Sequence, residues 1–187
     1  LRIPHAHVFG HSWGGSVMTQ FCFDHPDRVK SLLLSSPLLS TQRWIKDCNH
    51  LINRIQQELG QSADLEGEFE RRHFCRSDQA IKSEALRCER QRSNNMLYQQ
   101  MWGPSEFEHQ GMLGDLDFFP GFPTLSTPTL LICGEYDTAT PKTMEDARSA
   151  IGESAQLAVL KNAGHKTYVD RNQAFIDVVS QYLKQLD

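Results

Sequence analysis

No run of eighteen apolar residues occurs in the 187-residue chain, which excludes an ordinary membrane-spanning helix. Its first residues contain neither a long apolar stretch nor a small-residue cleavage site, so no signal peptide is expected. They also lack an initiator Met, so the chain is expected to begin mid-protein. No CxxC pair is present, and the five cysteines, Cys22, Cys48, Cys75, Cys88 and Cys133, are an odd and widely spaced set. A disulfide framework is not expected of such a set; free thiols in a reducing, cytoplasmic compartment are. There is no excess of basic charge. The net charge is −4, which gives no reason to expect nucleic acid or an anionic membrane as a partner. Internal repeats and low-complexity tracts are absent too. Apolar residues at 39% and charged residues at 22% are ordinary globular usage and exclude wholesale disorder. The length suits one domain.

Three zones stand out along the chain. In residues 1–40, Ala6-His7-Val8-Phe9 reads as a strand and residues 10–15 as a tight turn. Residues 16–25 read as a helix and residues 29–34 as a buried strand. The zone 41–122 is more polar. Trp44, Ile45, Cys48, Leu51, Ile52 and Ile55 recur at helical spacing, and residues 66–75 and 79–101 read as further helices. Asn94-Asn95 weakens the last of these, and Gly103-Pro104 stops it. From 113 to 128 the chain reads as a returning loop. The third zone alternates again: a strand at 129–133, a helix opened by Thr140-Pro141, a strand at 156–160 and a terminal helix whose apolar face begins at Phe175. This order predicts an α/β fold with a parallel sheet flanked by helices. Residues 1–40 and 123–187 are expected to form the core, and 41–122 a helical cap over the carboxyl ends of the strands, where open α/β sheets hold ligands.

Gly10-His11-Ser12-Trp13-Gly14 fits G-x-S-x-G between a strand and a helix. A sharp turn there pushes the Ser12 hydroxyl out over the sheet edge. Small residues at Gly10 and Gly14 are expected to let strand and helix approach. The helix N-terminus offers N–H donors and positive potential, and the Trp13 N–H is the candidate oxyanion donor. A Ser hydroxyl needs a base. Asp137 follows one buried strand and His165 the next, giving the order Ser, Asp, His. In this reading His165 is general base then general acid, and Asp137 fixes its tautomer. His5 and His7 share a strand face near His11, but no further ligand has fixed spacing, so no metal and no cofactor are expected. Arg71-Arg72 and the basic residues of 87–92, interleaved with Glu84 and Glu89, read as solvated helix faces.

These motifs resemble the proline iminopeptidase (prolyl aminopeptidase) family of α/β-hydrolases. The resemblance rests on Gly10-His11-Ser12-Trp13-Gly14-Gly15, on His25-Pro26-Asp27-Arg28-Val29-Lys30 with the strand after it, and on Met101-Trp102-Gly103-Pro104-Ser105-Glu106-Phe107. Residues 134–141 and Gly164-His165 complete it. The third piece is similar to a cap segment of that family, and is the most specific. The resemblance implies removal of N-terminal residues, often proline, from small peptides, or cleavage of amino-acid amides. It also implies a substrate α-amine held by acidic groups, of which Glu106 matches one. Thr138 stands where the family carries a second acid. Family members have further strands before the elbow strand, with a His-Gly-Gly-type loop giving a second oxyanion donor. The chain therefore looks like the C-terminal part of such a hydrolase, with its first strand left as a bare edge. The alternatives are an esterase or amidase without amine recognition, for which Thr138 argues, and an inactive truncated remnant. The sequence does not set the oligomeric state.

Overall fold

The computed structural model describes residues 3–60, 63–77 and 94–186. Among these residues four parallel strands form one sheet in the order β1 (Ala6–His11), β2 (Val29–Ser35), β3 (Thr129–Gly134), β4 (Ala155–Leu160). In the register Gly10 lies opposite Leu34, Leu34 opposite Leu131, and Leu131 opposite Leu157.

The two inner strands are buried along nearly their whole length, with Leu32-Leu33-Leu34 and Leu130-Leu131-Ile132 at their centres, because helices cover both of their faces. Successive side chains point to opposite sides. Leu32, Leu34, Leu131 and Cys133 fall in the core on one face. They share it with Cys22 of α1 (Trp13–Asp24), with Met144, Ala147 and Ile151 of α5 (Pro141–Ile151), and with Trp44, Cys48 and Ile55 of α2 (Thr41–Leu59). Leu33, Leu130 and Ile132 point the other way, into a smaller cluster with Leu160 and with Tyr182 of α7 (Asn172–Lys184). Burial without a hydrogen-bond partner for its hydroxyl raises the Tyr182 pKa to about 12. β1 differs: it alternates exposed and half-buried residues, and Phe9 is 49% exposed.

Between β2 and β3 the chain leaves and returns through one neck. Ser40 bridges to Asp117, the Thr41 N–H donates to the Leu116 carbonyl at 2.9 Å, and the Thr41 hydroxyl donates to the Leu113 carbonyl at 2.6 Å. Above the neck lie α2, α3 (Leu65–Phe69) and α4 (Asn95–Met101). Asp64 caps α3, accepting from the Gly67 N–H at 3.0 Å. The helix expected over 66–75 does not stay α-helical. From Glu70 to Phe74 it widens into a π-helical turn, with the Cys75 N–H reaching back to the Glu70 carbonyl at 3.1 Å. Most of the helix expected over 79–101 lies outside the described residues, as do Glu84, Cys88, Glu89 and the basic residues of 87–92. Its described end starts afresh at Asn95, because the Asn94 side chain accepts from the Leu97 N–H at 3.1 Å and caps it. The pair read as a weak point is thus a helix start. The loop at 113–128 contains a 3-10 turn, Phe119–Thr124, that buries Phe122. α6 (Thr167–Asp170) precedes α7. Among the described residues no helix is long and apolar enough to cross a membrane. Cys22, Cys48, Cys75 and Cys133 are buried and free.

Candidate active site

The turn after β1 is a single residue. β1 runs on to His11 and α1 starts at Trp13, so Ser12 alone makes the corner, with φ 53° and ψ −124°. A non-glycine residue there costs on the order of 1–3 kcal/mol and persists only where its surroundings impose it. Three hydrogen bonds do so: the Ser12 N–H to the Ser35 carbonyl at 3.0 Å, the Gly15 N–H to the Ser12 carbonyl at 2.9 Å, and the Leu38 N–H to the same carbonyl at 3.2 Å. The glycines that allow the corner are not both of those expected. A Cβ on Gly10 would meet the Gly14 carbonyl oxygen at 2.3 Å, and one on Gly15 would meet the Pro37 Cβ at 2.6 Å. A Cβ on Gly14 would meet nothing within 4 Å. The close approach therefore rests on Gly10 and Gly15. As the first residue of α1, Trp13 has an N–H with no partner inside the helix.

Asp137 and His165 come from the carboxyl ends of β3 and β4, as expected, and their side chains meet. His165 Nδ1 lies 3.0 Å from Asp137 Oδ1. The close pass of the two loops needs Gly134, where a Cβ would sit 2.3 Å from the Ala163 carbonyl oxygen. Asp137 is buried. Burial pushes its carboxyl pKa up, but the His165 hydrogen bond and charge, with hydrogen bonds from Ser36 and the Gly134 N–H, outweigh this and hold it below the usual carboxylate value. The Ser36 hydroxyl lies 2.5 Å from Asp137 Oδ2 and 2.9 Å from the His165 carbonyl oxygen. Ser36 itself has φ 48°, the second strained serine beside the site. Nothing in the sequence Ser35-Ser36-Pro37 marks it out from other loop serines.

The π-helical turn braces the same loops. The His165 N–H donates to the His73 carbonyl at 2.7 Å and the Lys166 N–H to the Phe74 carbonyl at 2.8 Å. His73 Nδ1 lies 2.6 Å from the Tyr136 carbonyl oxygen. His73 and Phe74 end this helix, so their carbonyls have no donor within it, and here they serve the histidine loop. The imidazole of His165 packs among Phe74 at 5.0 Å, Trp44 at 5.4 Å and His11 at 4.9 Å between ring centroids. Burial first, and then the neighbouring His165, lower the His11 pKa to about 3, so His11 is neutral. Its Nδ1 faces the Ser35 carbonyl oxygen at 3.1 Å. His7 Nδ1 is taken by Ser31 at 2.7 Å. Among the described residues no cluster of three potential metal ligands forms.

A cavity of about 660 Å³ opens above Ser12 and Trp13. Trp44, Phe69, Phe74, Trp102 and Phe107 form apolar walls. Its charged lining residues, among those described, are Glu66, Glu70 and Glu106, with no lysine or arginine. Glu106 is held from two sides. The Trp44 indole N–H donates to its Oε2 at 2.9 Å and the Tyr98 hydroxyl to its Oε1 at 2.7 Å. Burial and then the Glu106 charge push the Tyr98 pKa up, so this hydroxyl stays a donor. Thr138 does not join that lining; it is fully buried and faces the Asp137–His165 pair instead.

Residues 1–172 match the family model described as the alpha/beta hydrolase fold. The chain is 28% identical over 200 residues to a proline iminopeptidase of Heyndrickxia coagulans, covering 100% of this chain and 69% of the relative. It is 26% identical over 204 residues to one of Lactobacillus helveticus, covering 100% and 68%. The crystal structure of a proline iminopeptidase from Mycobacterium smegmatis superposes with a TM-score of 0.82 at 27% identity, over 98% of this chain and 66% of that one. The crystal structure of VinJ gives a TM-score of 0.83 at 22% identity, over 99% and 67%, a likeness of fold. The chain thus spans about two thirds of the length of these relatives. With its parallel sheet and its strained serine between strand and helix, it belongs to the alpha/beta hydrolase fold family.

Proposed function

We propose that the chain carries the chemistry of a serine aminopeptidase or amidase. It would release an N-terminal residue, proline-type, from a small peptide or amino-acid amide. The observation that carries this reading is the cavity over Ser12, whose charged walls are carboxylates alone among the described residues. Such a cavity favours a substrate bearing a cation and rejects one ending in a carboxylate.

In this reading the Ser12 Oγ attacks the scissile carbonyl carbon while His165 Nε2 takes its proton. Ionised Asp137 keeps the other proton on Nδ1 and stabilises the imidazolium. The Trp13 N–H donates to the oxyanion. The tetrahedral intermediate then collapses: the C–N bond breaks, and His165 gives its proton to the leaving amine. Water, deprotonated by the same imidazole, cleaves the acyl-enzyme ester and frees Ser12. Glu106 accepts from the substrate α-ammonium. An ionised carboxylate has about four acceptor sites, so two remain after Trp44 and Tyr98 have bonded. Residues 41–122 act as the cap that closes this cavity over the core formed by 1–40 and 123–187. Four buried free thiols suit a reducing, cytoplasmic setting.

A second reading, an esterase or amidase without amine recognition, draws support from the same Glu106. Both of its oxygens already have protein donors, so its charge can be purely structural. The test is intact-mass analysis of the 187-residue chain after a fluorophosphonate, with Ser12→Ala as control, followed by turnover of an aminoacyl anilide against its N-acetyl form. A single adduct lost in Ser12→Ala and a preference for the free amine are expected. Preference for the acetylated compound would establish the second reading. No adduct on folded protein would overturn both and leave a non-catalytic relative.

A further inference from the structure

Thr138 occupies a place that neither the nucleophile, the base nor the amine pocket accounts for. Its side chain is fully buried. Its Oγ1 lies 3.1 Å from His165 Nδ1 and 3.4 Å from Asp137 Oδ1, between the two groups that already share a 3.0 Å contact. Three polar atoms thus close a ring with two hydrogens to place.

Electrostatics orders those hydrogens. An ionised Asp137 repels a lone pair, so His165 Nδ1 carries its proton toward Oδ1. The Thr138 oxygen then meets an N–H and must accept from it. Its own hydrogen turns to Oδ1, the acceptor it reaches. The other Asp137 contacts leave this slot to Thr138. Oδ2 is served by Ser36 and by the Gly134 N–H at 3.0 Å, and Oδ1 also takes the Ala139 N–H at 2.9 Å.

We infer that Thr138 is a positioning residue for the His165 imidazole: its hydroxyl shares the Nδ1–H proton with Asp137 and fixes the ring plane by a second acceptor. One acceptor lets a ring pivot about the hydrogen-bond axis. Two acceptors, 3.0 and 3.1 Å from the same nitrogen, do not. The aromatic groups around the ring, Phe74, Trp44 and His11, supply contact but no acceptor to Nδ1. A proton divided between two acceptors is bound less tightly to either than one given wholly to the carboxylate. This inference rests on the serine hydrolase reading for its consequence, but not for its geometry.

The experiment compares the unmodified chain with Thr138→Val, which keeps shape and loses the hydroxyl, and Thr138→Ser, which keeps the hydroxyl and loses the methyl. The first readout is the low-field proton resonance of the His165 Nδ1–H, assigned by its loss in His165→Asn. In Thr138→Val this line should move further downfield, as the whole proton goes to Asp137, and in Thr138→Ser it should return. The second readout is the rate of fluorophosphonate labelling at Ser12, which should fall up to about tenfold in Val, the reach of one neutral hydrogen bond, and recover in Ser. Should Thr138→Val fail to fold, Thr138→Ala against Thr138→Ser makes the same comparison. An unmoved resonance in the Val or Ala variant would overturn the inference. So would equal changes in the hydroxyl-free variant and in Thr138→Ser. Absence of labelling in the unmodified chain would instead remove the hydrolase reading, and the resonance would still decide the role of Thr138.

Discussion

The sheet edge that floors the cavity at Ser12 and the segment that roofs it are built by different means. Ser12, Asp137 and His165 stand on the carboxyl ends of three strands, and backbone atoms supply most of what holds them: the Ser35 and Ser12 carbonyls, the Gly134 and Ala139 N–H groups and the His73 carbonyl, joined by the hydroxyls of Ser36 and Thr138. Glu106 stands in the segment between β2 and β3, and side chains hold it: one indole N–H and one phenol. A floor set by backbone leaves little latitude to substitution, because the chain path itself must be kept. A roof set by side chains can change its selectivity one residue at a time. On the proposed reading, the division lets one chemistry serve different substrates.

The largest expected effect breaks the floor. On the proposed reading, Asp137→Asn keeps the shape and removes the charge that sets the His165 tautomer, so Ser12 labelling should fall about 10⁴-fold. The variant should remain folded by circular dichroism, which separates lost chemistry from lost structure. A residual rate within tenfold of the unmodified chain would mean that Asp137 does not orient the base. Next in size is Gly10→Ala. Its Cβ would sit 2.3 Å from a backbone oxygen rather than from a movable side-chain tip, so stability should fall by about 1–3 kcal/mol or more, read from urea midpoints. Gly14→Ala, with nothing within 4 Å of the new Cβ, is the control and should melt close to the unmodified chain. Equal losses at both positions would show that the strand and helix do not approach at Gly10.

Changes in the roof should be smaller and should depend on the substrate. On the proposed reading, Glu106→Gln removes one charge-assisted hydrogen bond to an ammonium, so kcat/KM for an aminoacyl anilide should fall about 10–100-fold. For an N-acetylated ester it should barely change, since no ammonium is there to bind. Equal falls for both substrates would make Glu106 a structural member of the Trp44 and Tyr98 network.

The floor was also the part legible in sequence. A G-x-S-x-G between strand and helix, then an Asp and a His after successive buried strands, are local patterns, and local patterns are what a sequence displays. Glu106 was reached only through the family resemblance of its segment, since neither periodicity nor spacing distinguishes it from a surface Glu. The braces were not legible at all. Ser36 acts through a positive φ and two contacts more than a hundred residues away in sequence. The π turn at Glu70–Phe74 follows a stretch that reads as plain helix, and its carbonyls find their purpose only against His165. The Asn94 cap reads as a helix weakness in sequence because Asn disfavours helix interiors and favours helix starts alike. In sequence Thr138 stands at the family's amine-binding position, whereas its side chain turns to the imidazole.

The smallest effect, taken per pH unit, separates floor from roof again. His11 lies in the floor with its pKa lowered to about 3, against about 6.5 in an unfolded chain. Between those values the unfolded chain binds a proton that the folded chain refuses, so stability falls as pH drops through that window and is level above it. The slope owed to one such group is at most about 1.4 kcal/mol per pH unit. Urea midpoints taken at pH 7, 6, 5 and 4 should therefore decline from pH 6 downward, and His11→Gln should lessen that decline, leaving the share owed to His73, whose pKa burial also lowers, while keeping the pH 7 behaviour close to the starting chain. The Asp137 carboxyl cannot account for a loss at pH 5. Its pKa is lowered, so its contribution is fully present above the unfolded value of about 3.9 and is lost only as pH falls toward the folded one. A decline of unchanged slope in His11→Gln would place the acid-sensitive group elsewhere and would mean that the floor tolerates a charged imidazole beside His165.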